Sequence, residues 1–437
     1  MSRDTTLLFA TRGVRLFAYG FLSVVLVLYV SSLQITEHRI GTLLSLTLVG
    51  DVAISLFLTT HADRIGRRRT LVIGAFLMLV AALVFATTHD FTLLVVAATI
   101  GVISPSGNEV GPFLAVEQTA LAQTTPADSR TSVFAWYNLT GSFATALGAL
   151  AAGLFTHYRT IVIGYGLLGA LMALMFMRLS PRVERNGEPR VERNGAPRVA
   201  RNGAPASAGL SSLASADLSS PPSPGLSSPA SPGLSPPASP GLWSPAKAGA
   251  PSRIVAKLSA LFALDSFAGG LVVQSIVAYW FYRRFGLSPA IIGAIFFGAN
   301  LLAGVSALAA ARIARRVGLV NTMVFTHLPS NVLLMLVPLM PRLNLAIIVL
   351  LARFSISQMD VPTRQSYLMA VVDESERTAA AGITGVARTC GAALAPVLAM
   401  PLIAGLAHDW VPFVAAGVLK IVYDLALLWS TRSANVH

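Results

Sequence analysis

Long apolar runs alternate along the chain with short polar breaks, and most runs are about as long as a helical bilayer crossing. Such a crossing takes about 20 apolar residues. That length predicts six spans before residue 179, at 12–33, 41–62, 70–88, 91–118, 131–155 and 160–178. Six more are predicted after residue 253, at 254–282, 288–311, 319–340, 344–371, 378–404 and 409–431. The opening run, "MSRDTTLLFATRGVRLFAYG", shows no convincing small-residue cleavage site and reads as a retained helix.

Different material separates the two sets. The octapeptides "PRVERNGE", "PRVERNGA" and "PRVARNGA" begin at Pro181, Pro189 and Pro197. A second series, "LSSPPSPG", "LSSPASPG" and "LSPPASPG", begins at Leu218, Leu226 and Leu234. Repeats so rich in Pro, Ser and Gly bury no core. Residues 179–253 are therefore expected to form a disordered cytoplasmic linker between an N-terminal six-helix bundle, 1–178, and a C-terminal one, 254–437.

Composition agrees with a membrane-embedded chain. Of 437 residues, 54% are hydrophobic and 12% charged, about half the charged share of an average soluble domain. Mean hydropathy is +0.68. The net charge of +13 sits in clusters between apolar runs, as positive-inside bias produces, and argues against a nucleic-acid partner. With both termini cytoplasmic, the clusters near 64–69, 130, 182–201, 312–316 and 377 lie inside, while Arg39, Arg159, Arg283, Arg284 and Arg342 remain outside. The lone Cys390 excludes an intrachain disulfide framework and is expected to pack as a small hydrophobe.

The halves repeat each other. "DRIGRR" at 63–68 meets "ARIARR" at 311–316, each between the second and third span of its half. "DSR" at 128–130 falls opposite "SER" at 375–377. Twelve spans in a six-plus-six split, with an Asp-Arg-x-Gly-Arg-Arg loop, resemble the major facilitator superfamily. Asp63, Arg64, Gly66, Arg68 and Arg69 match that family's loop pattern, while Thr59 replaces its first glycine and Ala311 replaces the acid of the second copy. The resemblance implies an all-α membrane fold of twelve transmembrane helices in two pseudo-symmetric bundles. It also implies that the acid ending span two latches against the start of span eleven, where a helix N-terminus favours a carboxylate by about 0.3–1 kcal/mol.

Ionisable residues inside spans are functional candidates because hydrocarbon penalises them. Span four holds "SPSGNEVGPFLAVEQ", in which Pro105, Gly107, Gly111 and Pro112 interrupt helical hydrogen bonding. Asn108 and Glu109 are expected at a central cavity, Glu109 as a proton-titrating acid or as a structural acid paired with an arginine. In the repeat overlay Glu117 falls opposite Arg364, a candidate cross-lobe gate pair. Arg353 and Asp360, seven apart, are a candidate pair within span ten. Span seven adds Asp265 and Gln274 as a proton or substrate site, and Asp51 and Arg388 complete the expected buried set. Span eleven, "GITGVARTCGAALAP", resembles the glycine-proline motif that antiporters of the family carry in span five.

No phosphate-binding Gly-x-x-x-x-Gly-Lys-Ser/Thr loop and no metal-ligand spacing is present, so neither ATP nor a cofactor is expected. The expected activity is secondary transport of a small molecule by alternating access, with protons as coupling ion and export as direction. Uptake or exchange of an anionic metabolite is the alternative, since Arg353, Arg364 and Arg388 suit carboxylate or phosphate. A non-transporting sensor or a membrane-embedded enzyme is the rival from another class, disfavoured by the absence of an evident nucleophile–base pair. A functional monomer in the plasma or bacterial inner membrane is expected.

Overall fold

The computed structural model describes residues 3–125, 130–180, 183, 253–372, 376–405 and 407–434. The expected linker, apart from Leu179, Ser180, Val183 and Arg253, lies outside the described residues, as do the side chains of some helical positions, Asp63 and Ala311 among them. The described residues form seventeen α-helices: α1 Arg3–Ser23, α2 Leu26–Ser32, α3 Glu37–Ile65, α4 Arg67–Thr87, α5 Phe91–Ile100, α6 Phe113–Thr124, α7 Arg130–Ala152 and α8 Tyr158–Met177 in the first half. The second half has α9 Arg253–Gly270, α10 Gln274–Phe285, α11 Pro289–Val317, α12 Leu319–Leu336, α13 Leu343–Phe354, α14 Asp360–Val371, α15 Arg377–Leu394, α16 Pro396–Ala404 and α17 Val411–Ala434.

Seventeen helices make twelve crossings because several spans are broken. Eight helical segments among the described residues are individually long and apolar enough to cross a bilayer, and the α1–α2 pair, bent by 44°, makes a ninth. The pairs α5–α6 and α13–α14, with α7, complete the twelve. Span one starts nine residues earlier than hydropathy placed it, at Arg3 rather than residue 12, and carries two arginines into the bundle. Span four is broken where Pro105, Gly107, Gly111 and Pro112 are expected to interrupt it. Residues 101–112 are unwound, with Val102, Gly107 and Gly111 at positive φ.

The two halves repeat the same breaks. Spans one and seven are both interrupted, spans four and ten likewise, and the second spans, α3 and α11, are each 29 residues long. Each second span ends at a glycine of positive φ, Gly66 at 100° and Gly318 at 87°, which lets the chain turn directly into the next helix. Helix pairing repeats as well: α1 packs on α7 as α9 packs on α15, and α4 on α8 as α12 on α17. The chain is thus an all-α membrane protein of two pseudo-symmetric bundles.

The bundles meet along two exchanged contacts, α3 with α15 and α16, and α11 with α7. From mid-length to the end away from the start of α1, here the far end, small residues bring backbones together. A methyl at Gly41 would sit 2.7 Å from the Pro396 carbonyl oxygen, and one at Gly293 2.5 Å from that of Ala149. Polar links join them: Val397 N–H donates to Ser45 Oγ at 3.1 Å, Gln274 Nε2 to Ser23 Oγ at 2.8 Å and Ser275 N–H to the Pro105 carbonyl at 3.1 Å. Tyr279 donates to Glu37 at 3.2 Å, with Arg283 at 3.8 Å. Toward the opposite end, Gly382 and Gly385 of α15 face open space. Cys390 is exposed on α15 rather than packed; the next residue, Gly391, is the one that meets Ala263 of α9.

Packing inside each bundle relies on the same device at equivalent places. A Cβ at Gly148 would lie 2.0 Å from the Phe17 carbonyl oxygen, and one at Gly391 2.3 Å from that of Ala263. Close backbone approach of this kind is how helices associate without a hydrophobic driving force between them. Gly148→Val and Gly391→Val should each destabilise the protein by about 1–3 kcal/mol. The thermal midpoint and the monodisperse fraction of the purified variants check this.

Candidate functional site

Each bundle has a cluster of buried charges centred on its broken first and fourth spans. In the first, Arg12 and Arg15 lie one turn apart on α1 and so point to one side. Arg15 is fully buried, and its guanidinium grips the Glu117 carboxylate with a two-pronged bond, Nη1 2.8 Å from Oε1 and Nη2 2.7 Å from Oε2. Arg15 Nε donates at 2.7 Å to Glu109, whose other oxygen accepts from Arg12 Nη1 at 2.9 Å. Thr11 and Tyr137 also donate to Glu117. The Arg12 guanidinium lies 4.2 Å from the centre of the Tyr137 ring and reaches Asn138 Oδ1 at 3.3 Å.

Glu109 is positioned by the unwound stretch, whose freed backbone groups find partners on neighbouring helices. Tyr19 donates to the Val110 carbonyl and Tyr165 to that of Val102, while Gly111 N–H donates to Asp51 at 2.6 Å. Irregular backbone at this depth survives only with such support. Asn108 is exposed, and the Glu109 side chain retains 15% of its surface, against none for Glu117.

The second bundle solves the same problem with the signs exchanged. Here the acid is on the first span and the base on the fourth: Arg364 of α14 donates to Asp265 of α9 at 2.7 Å. Lys420 of α17 holds the other carboxylate oxygen at 2.6 Å. The repeat overlay of Glu117 with Arg364 thus has a physical basis, but the two do not pair across the bundles. Arg15 and Asp265 lie within hydrogen-bond reach of them and hold each in its own bundle.

The Arg353–Asp360 pairing also differs from expectation. Asp360 lies 3.4 Å from Arg364, and among the described residues Arg353 has no ion pair. Residues 355–359 break the helix between them, so a seven-residue spacing no longer places both on one face. Arg353 instead packs 5.0 Å from the Phe354 ring with its Nε unpartnered, and Arg388 Nε reaches Ser266 Oγ at 3.4 Å. Gln274, at the start of α10, donates across the bundles to Ser23 and accepts from Asn300 at 3.2 Å.

In the loop after span two, Arg64 and Arg69 are exposed, Arg68 donates to the Leu179 carbonyl at 3.4 Å and Gly66 makes the turn. The Asp63 side chain lies outside the described residues.

Sequence reasoning missed Arg12, Arg15, Tyr137, His327, Lys420 and Asp424. A signal was present for the basic and acidic ones. Two arginines three apart in "TRGVR" continue an apolar helix, and Lys420 and Asp424, four apart, interrupt the last span.

Two helical bundles related by internal repeat, with paired charges buried at their interrupted spans, define a membrane transporter. The chain belongs to the Major Facilitator Superfamily, whose family model matches residues 8–396. It is 29% identical to an uncharacterized membrane protein, YJR124C, of Saccharomyces cerevisiae, over 98% of this chain and 93% of that one. A D-xylose transporter of Levilactobacillus brevis is 26% identical, over 39% of this chain and 36% of the other. The nucleoside transporter NupG superposes with a TM-score of 0.66 at 12% identity, covering 98% of each chain. The human organic anion transporter MFSD10 superposes with a TM-score of 0.61 at 16% identity, covering 97% of this chain and 99% of that one. At these identities the structural likeness concerns the fold.

Buried partners are costly to separate. Breaking such a pair by removing one member costs about 3–5 kcal/mol, whereas removing both is nearly neutral. Arg15→Met and Glu117→Gln should each lower stability strongly. The double variant, which leaves Arg12 and Glu109 balanced, should recover about 2 kcal/mol of the summed loss. A double-mutant cycle on unfolding of the purified protein checks this.

Proposed function

We propose that the protein is a proton-coupled secondary transporter that exports a small solute by alternating access. In this reading residues 1–178 and 254–437 rock about the seam, with 179–253 as tether. The observation that carries it is the position of Glu109. Its carboxylate is shared by Arg12 and Arg15 and sits at the border between the buried cluster and the exposed Asn108. A proton on Glu109 removes the charge that holds Arg12, while Arg15 stays gripped by Glu117, and so makes the Arg12 guanidinium available to a solute; loss of the proton recaptures it. Exchange of solute for proton is further supported by the Gly391–Pro396 stretch at the α15–α16 break, which resembles an antiporter motif. In the same reading the loop from Asp63 to Arg69 latches the bundles.

A second reading, uptake or exchange of an anionic metabolite, is favoured by Arg353 and Arg388. Each lacks a carboxylate partner among the described residues. The named relatives and structures include carriers of a pentose, nucleosides and organic anions, so a solute panel should span those classes.

The full chain in proteoliposomes loaded with a pH-sensitive dye provides the test, with nucleosides, pentoses, organic anions and organic cations added in turn. At least one solute should change the internal pH. Glu109→Gln should abolish that change while solute counterflow persists, and Asp63→Asn should slow transport with normal membrane insertion. Counterflow of an anion with no pH change in any condition would replace the first reading with the second.

A further inference from the structure

Behind the Asp265–Arg364 pair lies a buried polar chain that the transport reading does not use. His327 of α12 is 5% exposed and Asp424 of α17 fully buried. His327 Nδ1 is 2.9 Å from Asp424 Oδ1 and 3.1 Å from Oδ2, and Asn331 Nδ2 donates to Asp424 Oδ2 at 3.0 Å. On its other side, His327 Nε2 is 4.0 Å from Asp265 Oδ1, the oxygen that Lys420 holds. The imidazole therefore bridges two carboxylates. Neither α12 nor α17 contributes to the seam contacts described above.

The donor count makes this arrangement incomplete. An ionised Asp424 only accepts, so Nδ1 carries the hydrogen that bonds it. A neutral imidazole has no second hydrogen, and Nε2 then meets the Asp265 carboxylate as one acceptor before another. Only a proton on Nε2 turns that contact into an attraction, and 4.0 Å is within a small side-chain shift of hydrogen-bond distance.

The other charged or titratable groups of this cluster are Lys420 and Tyr423 of α17, Arg364 and Asp360 of α14, Arg353 of α13 and Arg388 of α15. The helix α11, which also packs on α12, carries Arg312, Arg315 and Arg316 in its last turns. Asp265, Asp360 and Asp424 face Lys420, Arg364, Arg353 and Arg388, and of these charges the two carboxylates Asp424 and Asp265 lie within 4.0 Å of the ring nitrogens.

We infer that His327, oriented by Asp424, is a proton-binding site that acts on Asp265 from behind. A proton at Nε2 gives Asp265 a third cationic partner and so loosens the hold of Lys420 and Arg364 on that carboxylate. Arg364 belongs to the broken span ten. Proton arrival at the outer helices thereby changes the charge available at the central site without a proton having to enter the solute's own cavity. This inference rests on the proton-coupled reading for its role, though not for the site itself.

The full chain in lipid nanodiscs, labelled with nitrogen-15 histidine, tests the site by magnetic resonance of the ring nitrogens. His327→Gln, or His327→Asn if the first does not insert, identifies the resonance by its loss. The His327 ring should pass reversibly from one protonated nitrogen to two as the pH is lowered. Asp424→Asn should weaken its proton affinity about tenfold, since a carboxylate that favours the charged ring is removed. A ring that keeps a single tautomer throughout overturns the site, as does an unchanged affinity in Asp424→Asn. The titration needs no solute, so it is separable from the transport assay. Absence of any solute-driven pH change in the wild type would remove the proton-coupled reading while leaving the site. A His327→Gln variant with full solute-driven pH change would remove the role assigned to it.

Discussion

Charge inside hydrocarbon is the constraint that organises this molecule. An ion in the low-dielectric interior is costly unless an opposite charge meets it with good geometry. Arg15 and Glu117 meet that condition in one bundle, and Asp265 with Arg364 and Lys420 in the other. Arg15–Glu117 and Asp265–Arg364 each tie the first span of a bundle to its fourth, and Lys420 adds the last span of the second bundle. The first and fourth spans are also interrupted, so the charges stand where backbone geometry is least regular and where neighbouring hydroxyl groups must supply missing hydrogen bonds. Unwinding and charge burial support each other: the irregular stretch aims Glu109 at Arg12 and Arg15, and the arginines fix the stretch.

The exchange of sign between the bundles has a physical reading. Duplication fixes where the helices and breaks fall, whereas pairing requires only that opposite charges meet at the equivalent place. The polarity of the pair is free to invert as long as both members change. The bundles therefore keep one architecture while offering different chemistry. The first presents a carboxylate held by two guanidinium groups, and the second a carboxylate held by an amine and a guanidinium with further arginines nearby.

Much of the architecture was legible in the order of residues. The division into apolar crossings and the fragility of span four follow from run length and from Pro105, Gly107, Gly111 and Pro112. Partner identity was not legible, because Arg15 and Glu117 are 102 residues apart and Asp265 and Lys420 are 155 apart. Hydropathy also trims a span at its charges, which placed Arg12 and Arg15 at the membrane edge when the helix begins at Arg3 and carries them inward. Helix breaks defeat spacing arguments too. Arg353 and Asp360 share a face only on a continuous helix, and residues 355–359 are not one.

The polar links at the far end of the seam set the scale of the conformational change. Ser45 with Val397, Ser23 with Gln274, Pro105 with Ser275 and Glu37 with Tyr279 are single bonds, each worth about 0.5–1.5 kcal/mol net. Together they amount to a few kcal/mol. The transfer of one proton down 100 mV releases about 2.3 kcal/mol. In the proposed proton-coupled reading, a closure assembled from a few modest bonds is thus commensurate with the stroke of an ordinary electrochemical cell, and neither face of the carrier would be locked shut.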